Sequence, residues 1–261
     1  MRYSGVMAKN FRNILLTGAG SGLGAALARR YAASGVRLVL VGRDETRLAQ
    51  VAADCIARGA TVERASIDVT DRAALAAWIV ASDEAQPLDL VIANAGISGG
   101  TSGLGESDDQ SRQIFAINLD GVLNTIEPIL PRMRRRGSGT VALMSSLASF
   151  RGLPGAPAYG ASKAAVRVLG EALRGDYLPS GVTVSVICPG FVVTPMTARN
   201  RFHMPFLMSA ERAAGIMVRG LAEGRARIAF PWPMYALARL IAALPAPLID
   251  RVVARLPRKG A

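Results

Sequence analysis

The sequence predicts an α/β fold in which a single seven-stranded parallel sheet is doubly wound, with helices on both faces. Short runs of Val, Ile and Leu, typical of strands buried on both sides, alternate with longer segments of helical period. The chain has 261 residues, 51% of them hydrophobic, which is enough for one large core. We therefore predict one domain over residues 1–261.

The predicted strands are short apolar runs such as NILLT and LDLVIA, which are too brief for helices. They lie at residues 13–17, 36–41, 61–67, 88–93, 139–144, 182–187 and 227–230. Between them, segments rich in Ala and Arg place their apolar residues at helical spacing. These segments predict helices at 23–34, 44–58, 71–83, 109–136, 157–178 and 209–223.

Two segments interrupt the alternation just after predicted strands. Residues 96–107 are rich in Gly and Ser, and residues 188–208 are apolar and contain several prolines. Parallel strands end at one edge of the sheet, and ligands bind in the crevice at that edge. We therefore expect both segments to be active-site loops, with a lid at about 196–208.

The last 31 residues, at about 231–261, form a predicted amphipathic extension. Apolar residues recur there at helical spacing among arginines. Arg239, Pro245 and Pro247 interrupt the apolar run before it reaches the ~20 residues of a transmembrane helix. The sequence favours packing on the core or on another subunit, and attachment to a membrane surface is the alternative.

Composition excludes several kinds of protein. One histidine (His203) and two separated cysteines (Cys55 and Cys188) exclude a zinc site, an iron–sulfur cluster and a disulfide framework, so we predict no metal. The net charge is +12, but the 28 Arg and 3 Lys are spread along the chain, so no nucleic-acid partner is predicted. The two cysteines, with an N-terminal segment lacking an apolar signal region, predict a cytoplasmic protein, with peripheral membrane contact as the alternative.

A glycine-rich turn follows the first predicted strand and precedes a predicted helix. Its sequence is Thr17-Gly18-Ala19-Gly20-Ser21-Gly22-Leu23-Gly24. Small residues let the backbone approach a pyrophosphate, and the free N–H groups of the helix start stabilise its charge. The spacing differs from Gly-x-Gly-x-x-Gly, but the strand–turn–helix context favours dinucleotide binding over a purely structural turn.

This turn and three later motifs resemble the short-chain dehydrogenase/reductase family. Asn94-Ala95-Gly96 follows the fourth strand, Tyr159 and Lys163 form a Tyr-x-x-x-Lys signature, and Pro189-Gly190 follows the sixth strand. The match covers residues 12–195 in the family's order. The resemblance implies a Rossmann-like fold, an NAD(P)-dependent oxidoreductase acting on CH–OH or C=O groups, and a homodimer or homotetramer.

The end of the second strand predicts which dinucleotide is used. A carboxylate there would bind the ribose 2′-OH, whereas an arginine would accept a 2′-phosphate. Gly42 stands where NAD-preferring members carry Asp, and Arg43 follows, so the resemblance implies NADP(H) over NAD(H). The alternative is that Arg43 is merely solvated and Asp44, the predicted helix N-cap, reaches the ribose.

The other implied contacts fall at the ends of later strands. Asp68 and Val69 would contact the adenine, while Pro189, Gly190 and Thr194 would place the nicotinamide. The residues predicted to bind the cofactor are Thr17, Gly18, Gly20, Ser21, Gly22, Leu23, Gly24, Arg43, Asp68, Val69, Asn94, Ala95, Gly96, Tyr159, Lys163, Pro189, Gly190, Val192 and Thr194.

The predicted catalytic residues are Asn118, Ser146, Tyr159 and Lys163. Tyr159 and Lys163 stand four apart and share one helix face. A nearby ammonium and an oxidised nicotinamide both favour the phenolate, and one of only three lysines occupies this position. By the same resemblance, Ser146 would donate a hydrogen bond to the substrate oxygen, and Ser145 is the alternative candidate for this role. The resemblance assigns Asn118 a main-chain-bound water near the lysine, although alone it would be interpreted as solvated or capping.

The predicted function is interconversion of a ketone and a secondary alcohol. The lid contains Phe202, Met204 and Phe206, which suggests a bulky apolar small-molecule substrate, although such residues could equally pack on a neighbouring helix. Two alternatives are a non-catalytic dinucleotide-binding regulator and a peripheral membrane protein that binds lipid through its C-terminal segment.

Overall fold

Seven parallel strands form one sheet in the computed structural model, which describes residues 9–99, 105–152, 154–200 and 202–245. The strands are β1 (Asn13–Thr17), β2 (Arg37–Gly42), β3 (Thr61–Ser66), β4 (Leu90–Ala93), β5 (Gly139–Met144), β6 (Val182–Pro189) and β7 (Arg227–Phe230). Their order across the sheet is β3-β2-β1-β4-β5-β6-β7. The predicted doubly wound α/β fold, with its seven strands, is confirmed.

Helices cover both faces of the sheet. They are α1 (Gly22–Tyr31), α2 (Glu45–Ile56), α3 (Arg72–Ala85), α4 (Asp108–Phe115), α5 (Gly121–Ile126), α6 (Leu130–Arg136), α7 (Pro157–Tyr177), α8 (Ala210–Ala222) and α9 (Trp232–Ala243). Side chains of α1, α2 and α8 pack with the sheet in one buried cluster, and those of α3, α5, α6 and α7 pack in a second. Both faces of the sheet are therefore covered, as its apolar strands require, except at the edge strand β3, whose residues are partly or largely exposed.

The single helix predicted over residues 109–136 is wrong. The segment contains three helices, and a π-helical turn at Ala116–Asp120 joins α4 to α5. The N–H of Gly121 reaches back five residues to the carbonyl of Ala116, which marks this turn. Further on, Pro128 has no N–H to donate to the preceding turn, so α5 ends near it and α6 begins at Leu130.

The strand order reverses direction at β1, which pairs with β2 on one side and β4 on the other. Connections on opposite faces diverge at such a point, and a crevice opens beyond the carboxyl ends of the strands. The predicted glycine turn, the loop after β4 and the segment after β6 all leave the sheet at this edge.

The predicted C-terminal extension begins with α9, and its residues from 246 onward lie outside the described part of the chain. Met234 and Tyr235 of α9 pack in a small cluster with Leu147 and Phe150, close to the end of β5. None of the described helices is both long and apolar enough to span a membrane.

Candidate active site

The glycine turn after β1 lies so close to neighbouring backbone that side chains would not fit. Gly18 and Gly22 have positive φ angles of 67° and 53°, which favour glycine. A Cβ built on Gly24 would lie 2.1 Å from the carbonyl oxygen of Gly18. Ser21, the N-cap of α1, makes no side-chain capping bond. The turn thus presents exposed backbone at a helix start, which is the arrangement that binds a pyrophosphate.

Thr17 and Asn94 hold this turn in place. Asn94 Nδ2 donates to the carbonyl oxygens of Thr17 and Gly18 at 2.9 and 3.2 Å, and the backbone N–H groups of Asn94 and Ala95 donate to Thr17 Oγ1. Thr17 is only 1% exposed and lies beneath the cavity rather than in its wall. Its hydrogen bonds therefore support the turn, while its predicted contact with the cofactor stays a prediction.

A cavity of about 680 Å³ lies at the carboxyl edge of the sheet and has room for a dinucleotide. All predicted cofactor-binding residues except Thr17 contribute to its wall. They are Gly18, Gly20, Ser21, Gly22, Leu23, Gly24, Arg43, Asp68, Val69, Asn94, Ala95, Gly96, Tyr159, Lys163, Pro189, Gly190, Val192 and Thr194. The residues present therefore fit such a cofactor. The glycine turn lies at one end of the cavity, and Tyr159 and Lys163 lie at the other end.

Two arginines flank the cavity near the end of β2. Arg43 Nη1 lies 3.5 Å from Asp68 Oδ2, and more than half of the Arg43 side chain is exposed. Asp44 caps α2 by accepting the Arg47 N–H at 3.0 Å, and its other oxygen forms an ion pair with Arg47, 3.1 Å from Nε. The N-cap prediction for Asp44 is confirmed. Arg47 also lines the cavity and packs close to Gly20, a contact that the sequence analysis missed.

Tyr159 and Lys163 lie one turn apart on α7 and both line the cavity. Lys163 Nζ donates to the Met144 carbonyl at 2.9 Å and lies 6.0 Å from the centroid of the Tyr159 ring. Burial lowers the pKa of Lys163 to about 8. Burial also raises the pKa of Tyr159, while a hydrogen bond with Ser146 acts in the opposite direction. The lysine alone therefore does not give the lowered tyrosine pKa that the sequence analysis expected.

The two serines after β5 have different surroundings. Ser146 lines the cavity, is hydrogen-bonded with Tyr159, and accepts the Ala148 N–H at 3.1 Å. Ser145 also borders the cavity, but it is buried, and its Oγ donates to the Lys163 carbonyl at 2.8 Å. This geometry favours Ser146 as the residue facing a substrate. The hydrogen bond of Ser145 holds α7 against the end of β5.

Asn118 lies in the π-helical turn and is fully buried, so it is not the solvated residue that an isolated helical Asn would suggest. Its Oδ1 accepts the Ile97 N–H at 2.8 Å, while its Nδ2 donates to the Ile97 carbonyl and to Ser162 Oγ, both at 3.0 Å. A Cβ on Gly96 would lie 3.1 Å from Asn118 Oδ1 and 3.2 Å from Lys163 Nζ. Asn118 thus joins the loop after β4 to α7 beneath the Tyr–Lys pair.

The predicted lid is divided between the cavity and other surfaces. Met196 lines the cavity, whereas Phe202 packs edge-on against Phe191 with ring centroids 5.8 Å apart. Met208 is buried in the core, and Phe206 is 59% exposed. Among the described residues of the lid, Met196 is thus the one apolar side chain in the cavity wall, and the bulky substrate stays a prediction.

Glu106 is the second contact that the sequence analysis missed. Its two carboxylate oxygens accept the backbone N–H groups of Ala158 and Tyr159, at 2.6 and 3.2 Å. The residues lie more than fifty positions apart, so no local pattern could reveal the pairing. Arg47 could have been found, because it stands three residues after the N-cap Asp44 in the first turn of α2.

Fold and site together define a single-sheet oxidoreductase of the dinucleotide-binding class. The model of the short chain dehydrogenase family matches residues 12–204, and the chain belongs to this family. It is thus an NAD(P)-dependent oxidoreductase acting on CH–OH or C=O groups.

Relatives of similar length match most of the chain. An uncharacterized oxidoreductase of Myxococcus xanthus (strain DK1622) is 42% identical over 248 residues, which are 95% of this chain and 98% of that protein. A short-chain dehydrogenase from Sphingobium yanoikuyae in complex with NADPH is 26% identical, with a TM-score of 0.78 over 96% of this chain and 98% of that one. Levodione reductase is 28% identical, with a TM-score of 0.77 over 86% and 98%.

Proposed function

We propose that the protein is an NADP(H)-dependent oxidoreductase that interconverts a ketone and a secondary alcohol, with a bulky apolar substrate. The observation that carries the proposal is one cavity that joins the glycine turn to Ser146, Tyr159 and Lys163. A regulator that only bound the dinucleotide would not need these three polar side chains at the end of the cavity away from the glycine turn.

Tyr159 is the proposed acid and base. In reduction its hydroxyl proton passes to the substrate oxygen, and in oxidation the phenolate takes the alcohol proton. When bound, the nicotinamide supplies or accepts hydride at the carbon attached to that oxygen. Because burial raises the pKa of Tyr159, the phenol is protonated at neutral pH and ready for reduction.

The other proposed catalytic residues act on the tyrosine and on the substrate oxygen. Ser146 Oγ donates a hydrogen bond to the oxygen where negative charge develops. Lys163 binds the nicotinamide ribose, and its charge, together with that of an oxidised nicotinamide, offsets the effect of burial on the tyrosine. Asn118 holds the backbone beneath them and, by resemblance to the family, a water that links Lys163 to solvent.

The preference for NADP(H) rests on the groups at the end of β2. Arg43 is largely exposed at the cavity wall and can turn towards a 2′-phosphate, while the Asp44 carboxylate already accepts from the α2 backbone and from Arg47. In the alternative, the Asp44 carboxylate would accept the ribose hydroxyls in addition to these contacts, beside the positive charges of Arg43 and Arg47. Arg47 adds a second positive charge nearby.

A panel of ketones and secondary alcohols of increasing bulk, assayed with NADPH and NADH, tests the function. We expect turnover with bulky apolar members and a preference for NADPH. In Arg43→Ala, kcat/KM with NADPH should fall by about 10- to 100-fold, the worth of a charged hydrogen bond, while the NADH value stays unchanged. Arg64→Ala is the control, because Arg64 pairs with Glu45 outside the cavity.

Two results would contradict this proposal. A preference for NADH in the unmodified protein would remove the role of Arg43. Binding of NADPH without turnover of any panel member would favour the non-catalytic regulator.

We further propose a cytoplasmic homodimer or homotetramer in which α9 contacts a second copy of the chain. Trp232, Leu237 and Leu240 are 74%, 55% and 61% exposed, an unusual apolar surface for one short helix. Leu240→Glu should reduce the mass measured by light scattering, whereas Ile56→Glu, equally exposed on α2, should not. A monomeric unmodified protein that pellets with anionic phospholipid vesicles would instead indicate membrane attachment.

A further inference from the structure

The helix that carries Tyr159 begins without a cap of its own. Ala156, the N-cap of α7, offers no side-chain acceptor, and Pro157 at the first position has no N–H. The N–H of Gly160 is satisfied by the Ala156 carbonyl. The N–H groups of Ala158 and Tyr159 therefore need an acceptor from elsewhere, since helix starts leave such donors unsatisfied.

Glu106 supplies that acceptor from a distant segment. Its Oε2 lies 2.6 Å from the Ala158 nitrogen and its Oε1 lies 3.2 Å from the Tyr159 nitrogen, so one carboxylate satisfies both donors. The carboxylate also lies at the positive end of the α7 dipole, where its charge is favourable.

The segment that holds Glu106 is itself fixed. The next residue, Ser107, is the N-cap of α4, and its Oγ accepts the Gln110 N–H at 3.2 Å. Glu106 therefore connects the starts of two helices. It directly precedes the N-cap of α4 in the sequence, and its side chain is hydrogen-bonded to the first turn of α7. Asn118, in the π-helical turn that follows α4, makes a second link to α7 through its hydrogen bond with Ser162.

We propose that Glu106 is a positioning residue for the oxidoreductase reaction, acting through the backbone of Tyr159; this proposal rests on the proposed function. Because the tyrosine's own N–H is held by the carboxylate, the first turn of α7 keeps one orientation. The hydroxyl lies at the far end of a long side chain, so a small rotation of that turn would move it away from Ser146 and the substrate oxygen. Misplacement of about 1 Å can cost as much as 10²-fold in rate.

The test compares two carboxylate caps, of which only one lies at the site. Asp71 caps α3 by accepting the Ala74 N–H at 3.0 Å, so Asp71→Ala loses a similar interaction outside the cavity wall. In Glu106→Ala we expect kcat to fall about 10- to 100-fold with little change in the NADPH Kd. In Asp71→Ala we expect a comparable fall in Tm with unchanged kcat. Assays are run below both melting temperatures.

Glu106→Gln provides the conservative variant. Its amide oxygen can accept one of the two N–H groups, so kcat should lie between those of the unmodified protein and Glu106→Ala. If Glu106→Ala fails to fold, Glu106→Gln carries the test with the same readouts. Wild-type kcat in a folded Glu106 variant, or an equal loss in Asp71→Ala, would overturn the positioning role. Absence of turnover in the unmodified protein would instead overturn the proposed function.

Discussion

Tyr159→Phe is expected to lower kcat/KM by about 10²- to 10⁴-fold, the usual contribution of one general acid or base. The substitution removes only the hydroxyl that would exchange a proton with the substrate oxygen. The ring remains in the wall of the cavity, so the fold and the glycine turn are untouched. Steady-state rates with the best substrate of the panel provide the measurement.

The same preparation should still bind NADPH with nearly unchanged Kd in a fluorescence titration, because Lys163 and the glycine turn are retained. Tyr177→Phe is the matched control, since Tyr177 lies at the other end of α7 and its ring packs beneath the Arg134 guanidinium. If Tyr159→Phe turned over as fast as the control, the assignment of the acid would be wrong.

Gly24→Ala is expected to weaken NADPH binding by more than about 100-fold, because the pyrophosphate contacts depend on this backbone. The new Cβ would lie 2.1 Å from the Gly18 carbonyl oxygen and 2.8 Å from Asn94 Nδ2. A main-chain oxygen cannot swing aside as a flexible side chain can, so the whole turn would have to shift. The measurement is the NADPH Kd, with Tm to monitor folding.

Gly215→Ala is the control for this second substitution. Gly215 lies in α8, and a Cβ there would have no heavy atom within 4 Å. Replacing such a helical glycine should stabilise the protein slightly, by about 0.5–1 kcal/mol, with no effect on the cofactor. Equal NADPH affinities for the two alanine variants would show that the close approach at Gly24 is not needed for binding.

The strands and the order of the site motifs could be predicted because their signals are local. The centre of β1 is a run of three apolar residues at 14–16, and Tyr159 and Lys163 are brought together by the pitch of a helix. The helix predicted over 109–136 shows the limit of this reasoning. Nothing in its periodicity reveals the π turn around Asn118, whose buried side chain bonds the loop after β4 and α7.

The sequence by itself determined the sheet, the glycine turn and the identity of the residues at the strand ends, since these follow from hydrophobic pattern and short-range spacing. Only the tertiary structure decided how those residues are used. The buried Thr17 hydroxyl supports the glycine turn, and the Asp44 carboxylate caps α2. The Glu106 carboxylate caps the helix that carries Tyr159. Hydrogen-bond partners and burial depend on groups far apart in the chain, and the raised pKa of Tyr159 arises from that burial.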